Sequence, residues 1–412
     1  MSKLTFFRQS GWMVIATTVS GALMFAVHKP AKQMGSAEYG VFLTLLQVLN
    51  LMGIPAVGLQ LQFVQQTVAA LDDGKRAELT GAMRALLRAT FSFWLLLALY
   101  LLVFQKRLAA EYKIANPAAL WVTLLLGLTS LWSPILLGVV QGRQNFLWLG
   151  WASMLNGLTR LGSITIIVLL LGGGAAGAMT GALLGMLVAL AIGLYLTGDL
   201  WRGPAARFQW QPWLRRVLPL TLGFGAVTYM ISQDMLVVQR FFPEQETGYY
   251  GAAGMIGRAL YFFTAPMTAV LFPKVVQSAL RAEKSSVLAQ AFGATLLLGA
   301  GAALGCTLFP ELPLRIVYDR SFLKIAPLVP QFAWCMLPLT LSSVLVNNLL
   351  ARERFAVVPW LLAVATGYGW ALRHRHETFE QVIGTLGLFS SLLLAGCLFF
   401  TWRESRRPRG CG

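Results

Sequence analysis

Three ionisable side chains stand well inside long apolar runs: Arg160, Asp234 and Arg258. Each is costly there, about 2.5–3.5 kcal/mol on insertion scales, so it faces a partner or a polar cavity. Polar neighbours accompany them. Asn156 lies four residues before Arg160 and shares its helix face. Gln47 and Asn50 are one turn apart, and Ser343 and Asn347 share another face. Two arginines against one aspartate leave this set positive. Arg is permanently charged, and its planar fork fits phosphate oxygens. The expectation is therefore an anion-binding cavity lined by Arg258, Arg160, Asn50, Asn156, Gln47 and Asn347. Asp234 is expected either to pair with an arginine or to serve as an ion-coupling site. The alternative for both arginines is pairing with Asp234, or snorkelling to an interface.

Nothing else in the chain has catalytic spacing. There is no paired-carboxylate constellation, no Cys/His cluster and no phosphate-cradling glycine loop. Cys306, Cys335, Cys397 and Cys411 are scattered, without a disulfide framework or metal spacing. His374 and His376 sit in a short loop with no cysteine nearby. The expectation is a protein that is not an enzyme and that needs neither a metal nor a cofactor.

The elements that must position these residues are membrane spans. The chain is 57% hydrophobic and 12% charged, against roughly 25% charged in a soluble domain. Twelve apolar windows are long enough to cross a bilayer core of about 30 Å. They are Gly11–Val27, Tyr39–Val64, Ala89–Phe104, Ala118–Val140, Leu147–Leu171, Ala175–Thr197, Val217–Gln239, Tyr249–Pro273, Leu288–Leu308, Ile325–Leu350, Phe355–Leu372 and Phe379–Trp402. The fold expected is all-α and polytopic.

The two halves repeat. At an offset of 208 residues Glu38 falls on Glu246, Asn50 on Arg258 and Lys32 on Arg240. One residue further, Gly138–Phe146 (GVVQGRQNF) falls on Asn347–Phe355 (NNLLARERF). The expected organisation is two pseudo-symmetric six-helix lobes, residues 1–198 and 217–412, joined by a cytoplasmic linker at 199–216. An even number of spans per copy makes the repeats parallel, with a site between them.

Loop charge orients the chain. Lys and Arg number 20 in the loops on the side of both termini and 11 on the other. The richer side is expected in the cytoplasm. The net charge of +17 sits at span ends, where it meets anionic headgroups; membrane lipids, and no nucleic acid, are the expected partners. The N-terminus reads as a retained first helix, since no small-residue cleavage site follows it.

Among the loops, 65–88 reads as an amphipathic segment on the inner membrane surface, with Leu79, Met83, Leu86 and Leu87 opposite its charges. The linker carries Trp201, Trp210, Trp213, Pro204 and Pro212, which suit a surface-hugging connection. Gly172–Gly174 reads as a tight outer turn. Pro55, Pro134, Pro266 and Pro338 interrupt spans and invite kinks.

The run Met34–Phe42 (MGSAEYGVF) resembles the start of the second span in polysaccharide flippases of the multidrug/oligosaccharidyl-lipid/polysaccharide (MOP) exporter superfamily. Asp234–Arg240 (DMLVVQR), Glu246–Ala253 (ETGYYGAA), Leu271–Lys274 (LFPK) and Gly138–Phe146 are similar to that family as well, so the resemblance covers nearly the whole chain. It implies an inner-membrane protein of two lobes working by alternating access. It implies a cargo of oligosaccharide on undecaprenyl pyrophosphate, moved from the cytoplasmic to the outer leaflet. The pathway's polysaccharide polymerase and glycosyltransferases would be its partners. The rival readings are an organic-cation (multidrug) antiporter, a lipid II flippase and a non-transporting scaffold. An antiporter of cations would want acids in its cavity, and the first lobe has none within a span.

Overall fold

The structure, a computed structural model, describes residues 3–261 and 287–406. Pro266, the motif Leu271–Lys274, Cys411, the end of the eighth apolar window and the basic tail beyond Arg406 lie outside the described residues. The described residues are mostly helical, with no strand among them.

The chain divides into two compact units, Met1–Thr221 and Leu222–Gly412. In the first, α1 (Lys3–Ala26), the short α2 (His28–Ala31), α3 (Ser36–Met52), α4 (Ala56–Ala69), α5 (Asp73–Glu111), α6 (Ala118–Gly142), α7 (Phe146–Thr165), α8 (Gly174–Leu196) and α9 (Gly198–Arg202) follow in order. α10 (Trp210–Phe241) carries the chain across the boundary. The second unit continues with α11 over residues 244–261, then α12 (Val287–Leu308), α13 (Glu311–Val317), α14 (Leu328–Ala351), α15 (Val358–His374) and α16 (Phe379–Arg406).

Nine of these helices are long and apolar enough to cross a membrane, and the pair α3–α4 makes a tenth as one bent span. With α1 and α11, the described part of every expected window falls on helix. The chain is a multi-pass membrane protein. Its helices expose large side chains that a soluble protein would bury, such as Leu96 and Val103 on α5 and Leu297 and Leu298 on α12.

The second span is broken where the sequence predicts a kink. α3 stops at Met52 and α4 begins after Pro55, with a bend of 42°. Pro55 has no N–H to continue the ladder but is tolerated at a helix start. The tight turn is also as expected: Gly172 (φ 62°) and Gly174 (φ 54°) take the left-handed conformation that a side chain disfavours. It follows a π-helical turn at Ile166–Leu170.

The segment 65–88 differs from expectation. From Asp73 it is the first half of α5, capped by Asp72 Oδ1 accepting from the Lys75 N–H at 2.8 Å. At 1.5 Å per residue the 39-residue helix is about 58 Å long, well beyond the bilayer core. Its apolar face, Leu79, Met83, Leu86 and Leu87, packs in a protein core with Leu200, Trp213 and Val217 instead of against lipid. The linker is thereby strapped to unit 1. Arg84 Nη2 donates to the carbonyls of Leu200, Trp201 and Gly203 at 3.3, 2.6 and 2.8 Å. Ala206 N–H donates to Ala77 O at 2.9 Å. Gly81 permits that approach: a Cβ there would lie 2.1 Å from Ala206 O.

Candidate functional site

In the second unit the intramembrane charges form a closed pair. Arg258 Nη2 donates to both carboxylate oxygens of Asp234, at 2.7 and 2.6 Å. Its Nε donates to the Ile231 carbonyl at 3.0 Å, one turn before Asp234 on α10. The Tyr250 hydroxyl donates to Asp234 Oδ2 at 2.8 Å. Arg258 is 2% exposed and Asp234 0%. Local sequence explains the arrangement. Tyr250, Gly254 and Arg258 recur every four residues along one stripe of α11. Gly254 leaves room for the guanidinium to fold back, since a Cβ there would sit 2.6 Å from Arg258 Nη1. Phe332 of α14 closes the other side, its ring 6.0 Å from the guanidinium carbon. Of the alternatives open for Asp234, this geometry is the ion pair, and Arg258 spends its charge on it.

Arg160, on α7 of the first unit, has no such partner. Its Nη1 lies 3.4 Å from Met24 Sδ, a weak acceptor. Its Nε is buried without a hydrogen bond, and none of the described salt bridges includes it. Asn156 and Arg160 turn the same face toward α8, where Gly185 leaves the space: a Cβ there would meet Asn156 O at 2.5 Å and Arg160 Cβ at 3.0 Å.

The remaining expected residues form local bonds. Asn50 Nδ2 donates to Gln47 Oε1 at 3.1 Å on α3. Asn347 Nδ2 donates to the Ser343 carbonyl at 2.8 Å on α14. Gln47, Asn50, Asn156 and Arg160 thus belong to unit 1, and Asp234, Arg258 and Asn347 to unit 2.

Sequence reasoning missed the tyrosines and one histidine. Tyr250 and Tyr39 are fully buried. His28 Nδ1 is 2.9 Å from the Tyr39 hydroxyl, although the sequence places His28 in a loop. The Tyr368 hydroxyl on α15 is buried without a partner. A polar tip on a large aromatic is hidden in an apolar window, so only the helix pairing reveals it. Glu38, quoted only within a motif, accepts from the Ala175 N–H at 2.7 Å and so satisfies the start of α8.

No protein-family model matches the chain, and no curated protein matches its sequence. Its fold is widely shared. A multidrug resistance MATE family transporter of the MOP superfamily, in an inward-facing conformation, superposes with a TM-score of 0.72 at 13% identity over 94% of each chain. The lipid II flippase MurJ, in an inward closed conformation, gives 0.72 at 13% identity over 96% of this chain and 88% of that one. A MOP superfamily transporter from Pyrococcus furiosus, with a binding pocket of reversed polarity, gives 0.63 at 14% identity over 97% and 95%. The chain has the fold of the MOP superfamily transporters.

Proposed function

We propose that the protein is a flippase that moves an oligosaccharide linked to undecaprenyl pyrophosphate from the cytoplasmic to the outer leaflet, by alternating access, for cell-surface polysaccharide synthesis. Arg160 carries the reading. A guanidinium inside a membrane span, with Nε unsatisfied and no acid beside it, is costly unless an anion completes it. A pyrophosphate offers oxygens in the geometry that the guanidinium fork accepts. Asn156 on the same face would add a donor. Gln47, Asn50 and Asn347 are short-range polar groups suited to sugar hydroxyls. Arg258, tied to Asp234, would hold unit 2 together until an anion competes for it. The likeness in fold to a lipid II flippase supports a lipid-linked cargo. The chain would sit in the inner membrane with both termini in the cytoplasm.

Export of organic cations is the second reading, favoured by the MATE-like fold. Against it stands Asp234. Its charge is already met by Arg258, so the carboxylate placed deep within a described span is not left free to attract a cation.

The test is binding to the purified full-length protein in detergent. Undecaprenyl pyrophosphate should bind more tightly than undecaprenol, and Arg160→Gln should remove that preference. Equal affinity for the two lipids would overturn the role of Arg160.

A further inference from the structure

The second unit holds a cavity of about 510 Å³ at the end of α10, lined by residues that include Phe241, Glu246, His376, Glu377, Phe379 and Glu380. On the proposed topology it opens on the outer face. The internal repeat shows why it exists. In the first copy Glu38 reaches the start of that copy's sixth span, α8, and closes the joint with a 2.7 Å bond to the Ala175 N–H. Its repeat equivalent is Glu246. The sixth span of the second copy is α16, and Glu246 makes no described side-chain bond to it. The carboxylate and the first turn of α16 instead line one cavity.

The walls have a defined chemistry. His376 lies against the Phe241 ring with centroids 4.1 Å apart. Its Nδ1 is 3.0 Å from the Leu372 carbonyl, which can only accept, so Nδ1 is the donor. Phe379 stacks on Phe242 at 4.7 Å, and its ring is 5.2 Å from Tyr250, the donor to Asp234. Glu377 is tied to Gln381 twice: its backbone N–H donates to Gln381 Oε1 at 3.1 Å, and its Oε2 accepts from Gln381 Nε2 at 3.5 Å. Glu246 and Glu380, whose carboxylates make no described hydrogen bond, supply open carboxylate acceptors in the lining.

The size and the aromatic lining fit a small-molecule site, which typically measures about 300–1,000 Å³. A ligand must bring hydrogen-bond donors to the carboxylates and an apolar face to the rings. No group of three His, Cys, Asp or Glu among the described residues is arranged to hold a metal. The lining carries three carboxylates, Glu246, Glu377 and Glu380, while Arg240, Arg373 and Arg375 stand in the same two stretches of chain but outside the lining. An uncharged ligand rich in hydroxyls suits these carboxylates and rings together, and a cation is the competing occupant that the ethidium arm of the test distinguishes. We propose that this pocket is a saccharide subsite, with uncharged sugar rings stacked on its aromatic wall and their hydroxyls donating to Glu246 and Glu380. Its place in transport, receiving the glycan as it emerges, rests on the flippase reading; its binding chemistry does not.

The test uses full-length protein in detergent on an array of uncharged oligosaccharides, with ethidium binding measured in parallel. The variant is Glu246→Gln/Glu380→Gln, in which both positions are exposed and the fold is checked by its thermal transition. Wild-type protein should retain one or more uncharged glycans. The variant should bind them about tenfold more weakly or worse, as expected for losing charged acceptors. Ethidium binding should not change between the two. A blank array, glycan binding equal in both proteins, or loss of ethidium binding alone would overturn the proposal, the last by making this a cation pocket. Flipping of a lipid-linked oligosaccharide by wild-type protein is scored separately. Glycan binding without flipping would leave the pocket and sink the transport reading; flipping with a blank array would do the reverse.

Discussion

Arg258 and Asp234 meet through a single nitrogen: Nη2 bridges both carboxylate oxygens, while Nε is spent on the Ile231 carbonyl. Removing one partner of a buried pair strands the other charge, at a cost of about 3–5 kcal/mol. Asp234→Ala should therefore lower the thermal transition of the detergent-solubilised protein sharply. The double change Asp234→Leu/Arg258→Met should recover most of the loss, because apolar packing replaces a pair whose desolvation offset much of its attraction. A single variant as stable as wild type would show that the pair does not hold α10 to α11.

Arg160 should behave in the opposite way. It has no described acidic partner to strand, so Arg160→Gln should leave stability within about 1 kcal/mol. Affinity for the pyrophosphate lipid should fall about tenfold to a hundredfold, the range for charged hydrogen bonds. Arg160→Lys should restore part of it, since the charge remains and the fork is lost. Binding isotherms on the three proteins decide this.

Gly81 should be intolerant of any side chain. A Cβ would lie 2.1 Å from the backbone oxygen of Ala206, which has no flexible end to yield. Gly81→Ala should push residues 203–209 off α5, cost about 1–3 kcal/mol, and speed proteolysis there. Arg84→Ala should give the same cleavage by removing three carbonyl contacts. Unchanged cleavage in both variants would mean that the linker is held elsewhere.

Near that linker, Arg143 grips Asp199 with two parallel bonds of 2.9 and 2.6 Å. The hydrogen bond from Arg143 holds the Asp199 carboxyl below its ordinary 3.8. A lowered acid pKa stabilises the fold above the unfolded value and loses that contribution as the pH falls through the folded one. The pair is exposed, so it is worth about 0–1 kcal/mol. The stability gap between wild type and Arg143→Gln should be small at neutral pH and should close as the pH drops below 3.8. A gap that widens on acidification would contradict the assignment.

The sequence made the helices legible because each apolar window is long and continuous. Pro55 marked the break in the second span, and the glycines at 172–174 marked the turn. It misplaced the first half of α5, since an amphipathic face on a basic segment fits a membrane surface as well as a protein core, and only the linker's return decided between them. For the site, it picked out Arg160, Asp234 and Arg258, because charge within an apolar run is visible in one dimension. Which arginine meets Asp234 was not visible: both lie on other helices. Tyr250 and Gly254 decide it, one by donating to the carboxylate and the other by leaving space.

The most direct test is transport itself. The purified chain is reconstituted in liposomes, and the movement of a fluorescent undecaprenyl-pyrophosphate oligosaccharide is followed beside that of ethidium. Flipping of the lipid-linked sugar, abolished by Arg160→Gln, with ethidium left in place, is the predicted result. Movement of ethidium alone would contradict it and make both intramembrane arginines structural.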